Sequence, residues 1–502
     1  MPTALYQRSW ESLSNDGAGE DRFFHLARQI ALSFIDQCYY NDHYARKHVD
    51  LLCDIAVGLG SEAARAGGTA ALFGVLIEQL CDDYEDFQPE TYARVMSQVI
   101  ARCFDLPEGS QLRQSLRRFR IESEEDLHRR ALHIRKRPNH WPDRNAVDRV
   151  YILSRVTIGA DVAITSVLVQ RLKRIFPRAE IVILGAAKLG EIFTADCPAR
   201  IRPLQYARSG NLMERFSSWQ DALAILDEEN VFRPGPILVI DPDSRISQLG
   251  MLPLVSDDRY LFFDTHDTSA MYRKASMAEL TNRWVDHVFG SGSPVYPAVW
   301  LPSKSVEAAQ TLVGKLRYEG CKRLIVANFG VGGNERKRLG TELEIQLALS
   351  LIQVPGTILL LDMGLGTEEQ RYSRQILCSA RAMGHVAIEV PFSRCPEGNI
   401  SSGVLCIKAT IGEIASLISQ CDEFVGYDSA CQHIAAALGI PTTTIFAGTS
   451  SPRFIRRWKA SGPALLRIVH VSGHTSQLPD HVESIVDRIV RDRSTHLEGQ
   501  GF

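Results

Sequence analysis

Apolar residues recur every three or four positions through the first part of the chain. FFHLARQIALSFIDQCYY (23–40) and TYARVMSQVIARCF (91–104) show the spacing, which puts their apolar side chains on one face of a helix. Ser123, followed by Glu124, Glu125 and Asp126, has the make-up of a capped helix start. Residues 1–148 carry no strand-like alternation, so an all-helical region is expected there. Pro138 and Pro142 mark 138–148 as its boundary.

From Val150 the pattern becomes short apolar runs separated by amphipathic stretches. VYILSRV (150–156), AEIVILG (179–185), RIRPLQY (200–206), GPILVID (235–241) and RYLFFDT (259–265) read as strands. Segments 161–176 and 220–230 read as helices between them. The theme returns with strands expected at 322–330, 357–363, 385–391, 423–428 and 442–448. Helices are expected at 342–353, 368–384, 410–421, 430–439 and 482–492. Runs that are apolar on both faces suit buried parallel strands. The fold class predicted is α/β: two tandem doubly wound (Rossmann-like) domains preceded by an all-helical N-terminal domain. The expected divisions are 1–148, 149–300 and 301–502, with the α/β pair joined through the Gly-Ser-Pro-rich stretch near 288–318.

A chain of 502 residues is too long for one core, which agrees with several domains. The net charge of -3 argues against nucleic acid as the main partner. HRRALHIRKRPNH (128–140) is basic and reads as a solvated helix face leading into a linker, in preference to a strip that touches anionic lipid. The 11 cysteines have no pairing pattern, which fits reduced thiols and a cytoplasmic protein. No run of about 18 apolar residues occurs, so membrane contact is expected to be peripheral at most, on the inner face.

Three loops of the second α/β half sit where such folds bind ligands, beyond the strand ends. NFGVGGNERKRLG (328–340) offers small residues and the cation Lys337 to an anion. MGLGTEEQR (363–371) offers a tight turn followed by Glu368 or Glu369, which could accept hydrogen bonds from ribose hydroxyls; either acid could equally be a favourable helix-start residue. In GYDSACQHIAAALGIPTTTIFAGTSSP (426–452), Asp428 ends a strand and Ser429 is placed to cap the next helix. His433 lies near the start of that helix, and Gly448 and Thr449 form a second small-residue loop.

This last segment resembles the donor-binding motif of glycosyltransferase family 9, the ADP-heptose:lipopolysaccharide heptosyltransferases. The matching residues are Asp428, Ser429, His433, Ala435, Ala436, Ala437, Gly439, Pro441 and Thr442, then Phe446, Gly448, Thr449 and Pro452. Ala430 stands where the family has glycine, and Ala447 is inserted between Phe446 and Gly448. Upstream, Gly159, Thr165, Leu168 and the Phe176-Pro177 ending match on the acceptor side. The family's catalytic aspartate follows that glycine directly; here Ala160 intervenes and Asp161 is the candidate base. Lys337 matches the family's phosphate-binding lysine, and Glu368 its ribose-binding acid.

The resemblance covers about 150–470. It implies a GT-B fold and an inverting, metal-independent transfer of a heptose-like sugar from a nucleotide-diphospho-sugar, ADP-heptose in the family. The acceptor would be a saccharide, a lipid-linked glycan or a protein, as in bacterial lipopolysaccharide biosynthesis. No cofactor is expected. A divalent metal at Asp241 and Asp243, where D-x-D follows a strand, is the competing expectation. The competing function is an inactive nucleotide-sugar-binding module that serves as sensor or scaffold. The helical region would recognise an acceptor or a partner.

Overall fold

The computed structural model describes residues 3–494, apart from 59–60, 83, 138–146, 234, 268, 270–273, 333, 450 and 472–478. The described part of the first region contains helices and turns only, from Thr3–Asn15 to Glu124–Lys136. That last helix opens with the capping box: Ser123 Oγ accepts from Asp126 N, and the Asp126 carboxylate accepts from Ser123 N. The boundary prolines Pro138 and Pro142 lie outside the described residues.

Strands β1 (Arg149–Leu153), β2 (Glu180–Gly185), β3 (Arg200–Pro203), β4 (Ile237–Asp241) and β5 (Tyr260–Phe262) form a parallel sheet in the order β3-β2-β1-β4-β5. A second parallel sheet holds β6 (Arg323–Asn328), β7 (Thr357–Asp362), β8 (Ala387–Pro391), β9 (Gly403–Lys408), β10 (Glu423–Tyr427), β11 (Thr442–Phe446) and β12 (Leu466–His470). Its order is β12-β11-β10-β6-β7-β9-β8. In each sheet the later strands return to the far side of the first strand, which leaves switch points between β1 and β4 and between β6 and β10. Doubly wound sheets bind ligands beyond the strand ends at such switch points.

Some elements depart from the sequence expectation. The stretch expected to link the lobes contains the helix Ser303–Tyr318, preceded by the helix Met277–Phe289. β9, β12 and the short helix Pro452–Trp458 were not expected. β9 is a six-residue run between serines and a threonine, and β12 is an edge strand that keeps Ile468 exposed, so both patterns are weak.

Alternation along β1 decides how the layers join. Tyr151 and Leu153 face a core shared with the helical region, including Phe34, Leu52 and Met96. Val150 and Ile152 face the opposite core, which continues through Leu168 and Trp284 to Leu324 and Phe424 of the second sheet. Burying each such aliphatic side chain stabilises by about 1.5–3 kcal/mol. The helical region and both sheets are therefore joined through continuous apolar cores.

The basic run of the Glu124–Lys136 helix is divided: Arg129, His133 and Lys136 stay on the expected solvated face, whereas Arg130 and Arg135 belong to this packing. Arg130 donates to Asp257 at 2.6 Å, and Arg135 pairs with Asp264 at 2.6 Å. Their guanidinium groups lie over the rings of Tyr260 and Phe262. Among the described residues, no helix is long and apolar enough to cross a membrane.

Candidate functional site

The two switch points face each other. Gly159, just after β1, meets the start of the helix Ala430–Ala437, just after β10. A Cβ built on Gly159 would lie 3.2 Å from Ala430 Cα and 3.2 Å from His433 Cδ2. Gly412 N also donates to Glu191 across the lobes at 3.0 Å.

On the second lobe, Asp428 follows β10 and is the hub of the site. Lys337 Nζ lies 2.6 Å from its Oδ2, and Gln432 Nε2 donates to its Oδ1. Thr444 holds Gln432 in turn, donating to its Oε1 at 2.9 Å. Gly448 takes φ +71°, and a Cβ there would collide with the Arg336 carbonyl, so the two loops expected to hold an anion pack directly together. Thr449 Oγ1 accepts from Ser451 N at 3.1 Å. Burial pushes the His433 imidazole down to about 4, against the opposing pull of Asp428, so the ring is neutral at pH 7.

Ser429 does not cap the helix as expected. It makes no side-chain cap bond; its Oγ donates instead to Asn328 Oδ1 at 3.3 Å. That bond ties β10 to the end of β6, where Asn328 Nδ2 donates to Asp362 at 2.7 Å. Burial pushes the Asp362 carboxyl up to about 6, against the Gly364 N–H and the Asn328 amide.

The two acids offered to ribose point in different directions. Glu368 is exposed and pairs outward with Arg371 at 3.0 Å and with Tyr372 at 3.2 Å. Glu369, about 100° further round the helix, turns inward instead; its Oε1 lies against the Gly330 position and its Oε2 caps Gly366. Behind this wall Arg338 donates to Glu344 at 2.8 Å, and Tyr427 donates to the same carboxylate at 3.0 Å. Glu344 is fully buried; that desolvation raises its pKa, and Arg338 opposes the shift. The pair braces the loop that carries Lys337.

On the first lobe, Asp161 is 1% exposed and receives three donors: Ser154 Oγ at 2.6 Å, Arg155 N at 2.9 Å and Thr165 Oγ1 at 2.7 Å. Burial raises its pKa, and these hydrogen bonds oppose the shift. Residues Asp161–Thr165 form a π-helical turn. A π turn takes up one residue more than an α turn, which fits the extra Ala160. Asp161 thus points inward, and Gly159 is the part of this segment that meets the other lobe.

The Asp241–Asp243 pair is buried and already served by protein donors. Asp241 receives Ser244 N at 2.7 Å, Ser247 Oγ and the Tyr260 hydroxyl. Asp243 meets His266 Nδ1 at 2.8 Å and Arg135 and Arg155 at 3.4 Å each. Burial would raise the Asp243 carboxyl, but the adjacent His266, Arg135 and Arg155 hold it well below the usual carboxylate range. The chain also brings Asp264 to Asp243 and His266, a set with metal-ligand chemistry that sequence spacing did not reveal. Arg135 contacts both acids, and His266 Nε2 is engaged at 2.9 Å by the Cys81 carbonyl. These donors do not fit a divalent ion, because guanidinium groups already neutralise the acids.

Residues 371–484 match the family model of glycosyltransferase family 9 (heptosyltransferase). A glycosyl transferase family 9 structure from Veillonella parvula superposes with a TM-score of 0.50 at 13% identity, covering 72% of this chain and 99% of that one. E. coli ADP-heptose lps heptosyltransferase II gives 0.45 at 13% identity, covering 69% and 99%. E. coli heptosyltransferase WaaC with ADP gives 0.43 at 14% identity, covering 68% and 99%. No curated protein matches the chain. The chain has the two-lobed GT-B architecture, and its second lobe carries a heptosyltransferase-like family 9 segment that includes Asp428, His433 and Thr449.

Proposed function

We propose that the protein is a glycosyltransferase that moves a heptose-like sugar from a nucleotide-diphospho-sugar to a saccharide, lipid-linked or protein acceptor, with inversion and without a metal. The observation that carries this reading is the meeting of two switch points at Gly159 and Ala430, with the Lys337 ammonium beside them on Asp428.

A diphosphate at the start of the Ala430–Ala437 helix would face its first-turn amides. It would draw Lys337 from Asp428 and take Thr449 as a further donor. Lysine and helix amides would then stabilise the charge that grows on the leaving diphosphate, the task a metal performs in other transferases. Glu369, Asp362 and Asn328 form the neighbouring acceptor-rich edge, suited to ribose hydroxyls. Asp161 would take the acceptor hydroxyl's proton once the Gly159 segment shifts to uncover it. ADP-heptose and lipopolysaccharide assembly on the inner face of a membrane are the donor and setting suggested by the family resemblance.

One observation favours a second reading. The three donors that enclose Asp161 suit a loop anchor, as in a nucleotide-sugar sensor or scaffold without catalysis. Incubation with ADP- and UDP-sugars and candidate acceptors, with nucleotide release measured, separates the two. The transferase reading expects acceptor-dependent release that is lost in Asp161→Asn with donor binding retained. Lys337→Ala should weaken donor binding about 10- to 100-fold, the range for a charge-assisted hydrogen bond. Donor binding without release in the wild type favours the module; no binding of any nucleotide sugar sinks both.

A further inference from the structure

The short helix Pro452–Trp458 follows the Gly448–Thr449 loop and touches all three parts of the molecule. Toward the helical region, Arg453 Nη1 donates to the Tyr84 carbonyl at 2.7 Å and to Asp86 at 2.9 Å. Toward the first lobe, Arg457 is 4% exposed and donates to the carbonyls of Ala275 at 3.1 Å and Asp267 at 2.7 Å. Toward the site, Lys337 Nζ lies 5.5 Å above the Phe454 ring, and the Trp458 carbonyl accepts from Gln432 at 3.3 Å.

Tyr84 closes this arrangement. Its ring stacks on His266 of the first lobe at 4.8 Å and tilts against Phe454 of the second at 6.4 Å. It is 3% exposed and takes φ +60°, a left-handed conformation that a bulky residue keeps only when its surroundings hold it there. The Arg453–Asp86 ion pair is too exposed to hold much alone. The carbonyl bond and the ring sandwich are the firm part of the clasp.

We propose that Tyr84 and Arg453 are positioning residues of the donor site: they clasp the Pro452–Trp458 helix so that the helical region holds the two lobes shut at the Gly159–Ala430 contact. The donor must then part this clasp to reach Lys337 and the Ala430 helix start. The inference rests on the donor reading above for its consequence, but the clasp itself can be measured without any ligand.

Hydrogen exchange of the full-length protein tests it, comparing wild type with Arg453→Ala, Tyr84→Ala and Arg453→Lys. Exchange in 430–437 and 452–458 should accelerate about tenfold or more in both alanine variants, while the Glu20–Asn41 helix is unchanged. Arg453→Lys should restore part of the protection. With ADP as probe, association should be at least about threefold faster in Arg453→Ala than in wild type. Wild-type exchange rates at 430–437 in both alanine variants would overturn the clasp. Equal loss of protection in Glu20–Asn41 would overturn it too, since the contact would then only keep the helical region folded. Failure of ADP to bind any variant, with the exchange pattern as expected, would count against the donor reading and leave the clasp standing.

Discussion

Gly159 touches Ala430 so closely that a methyl group on the glycine would sit 3.2 Å from the alanine's Cα. The lobes close on this contact with the His433 ring alongside, its Cδ2 also 3.2 Å from that methyl position. Ala430, which stands where the family resemblance has glycine, occupies the other half of it.

Filling this contact should act as a wedge. Gly159→Ala needs neighbours to move only a few tenths of an ångström, and transfer should stay within about threefold of wild type. Gly159→Leu cannot be fitted without parting the lobes, so transfer should fall more than about a hundredfold through lost positioning of acceptor against donor. ADP binding, measured by calorimetry, should survive in both. Normal transfer by Gly159→Leu would show that the contact is not on the reaction's path.

The two neighbouring glutamates should respond differently to loss of charge. Glu369→Gln replaces an inward-facing charged acceptor beside Gly330 with a neutral amide and should weaken nucleotide binding by about 1.5–3 kcal/mol, roughly 10- to 100-fold. Glu368→Gln weakens only exposed contacts with Arg371 and Tyr372 and should change binding less than about twofold. Titration of each variant with ADP settles the order; a larger effect at Glu368 would reverse the assignment.

Asp362 should leave a signature in stability against pH. Its folded carboxyl holds its proton up to about 6, above the ordinary value of 3.8, because burial penalises the charged form. Its contribution to folding is therefore full below about pH 4 and is lost as pH rises through about 6. Asp362→Asn carries no such loss, so its stability relative to wild type should rise by up to about 2 kcal/mol between pH 4.5 and pH 8. Urea unfolding at the two pH values checks this, and an equal difference at both would show that Asp362 titrates like an exposed aspartate.

The architecture was legible where burial leaves a pattern along the chain. β1, β4, β7 and β10 are buried throughout and β6 from Leu324 onward, so each appears as a short apolar run. The motif from Asp428 to Pro452 was legible as chemistry because its residues are close in sequence. Direction was harder to read. Glu368 and Glu369 differ by a single step round a helix, and the preference of Ser429 for Asn328 over its own helix depends on β6 lying beside β10. The Asp243, His266 and Arg135 cluster was invisible because its members come from distant parts of the chain. The same holds for Arg130 and Arg135 of the basic run, which find Asp257 and Asp264 only after the helical region docks.

The place of β6 in its sheet has a consequence for synthesis. Ile325 pairs with Leu359 on one side and with Glu423 on the other. As the chain leaves the ribosome, β7 is made soon after β6, but the opposite edge stays open until residue 423 emerges. Leu324, Ile325, Val326 and Ala327 are fully buried once assembled, so for that interval a nascent chain presents a sticky strand with one edge unpaired. Premature stop codons between β7 and β10 should therefore yield insoluble fragments, and ribosomal pausing in that window would be a natural point for chaperone capture.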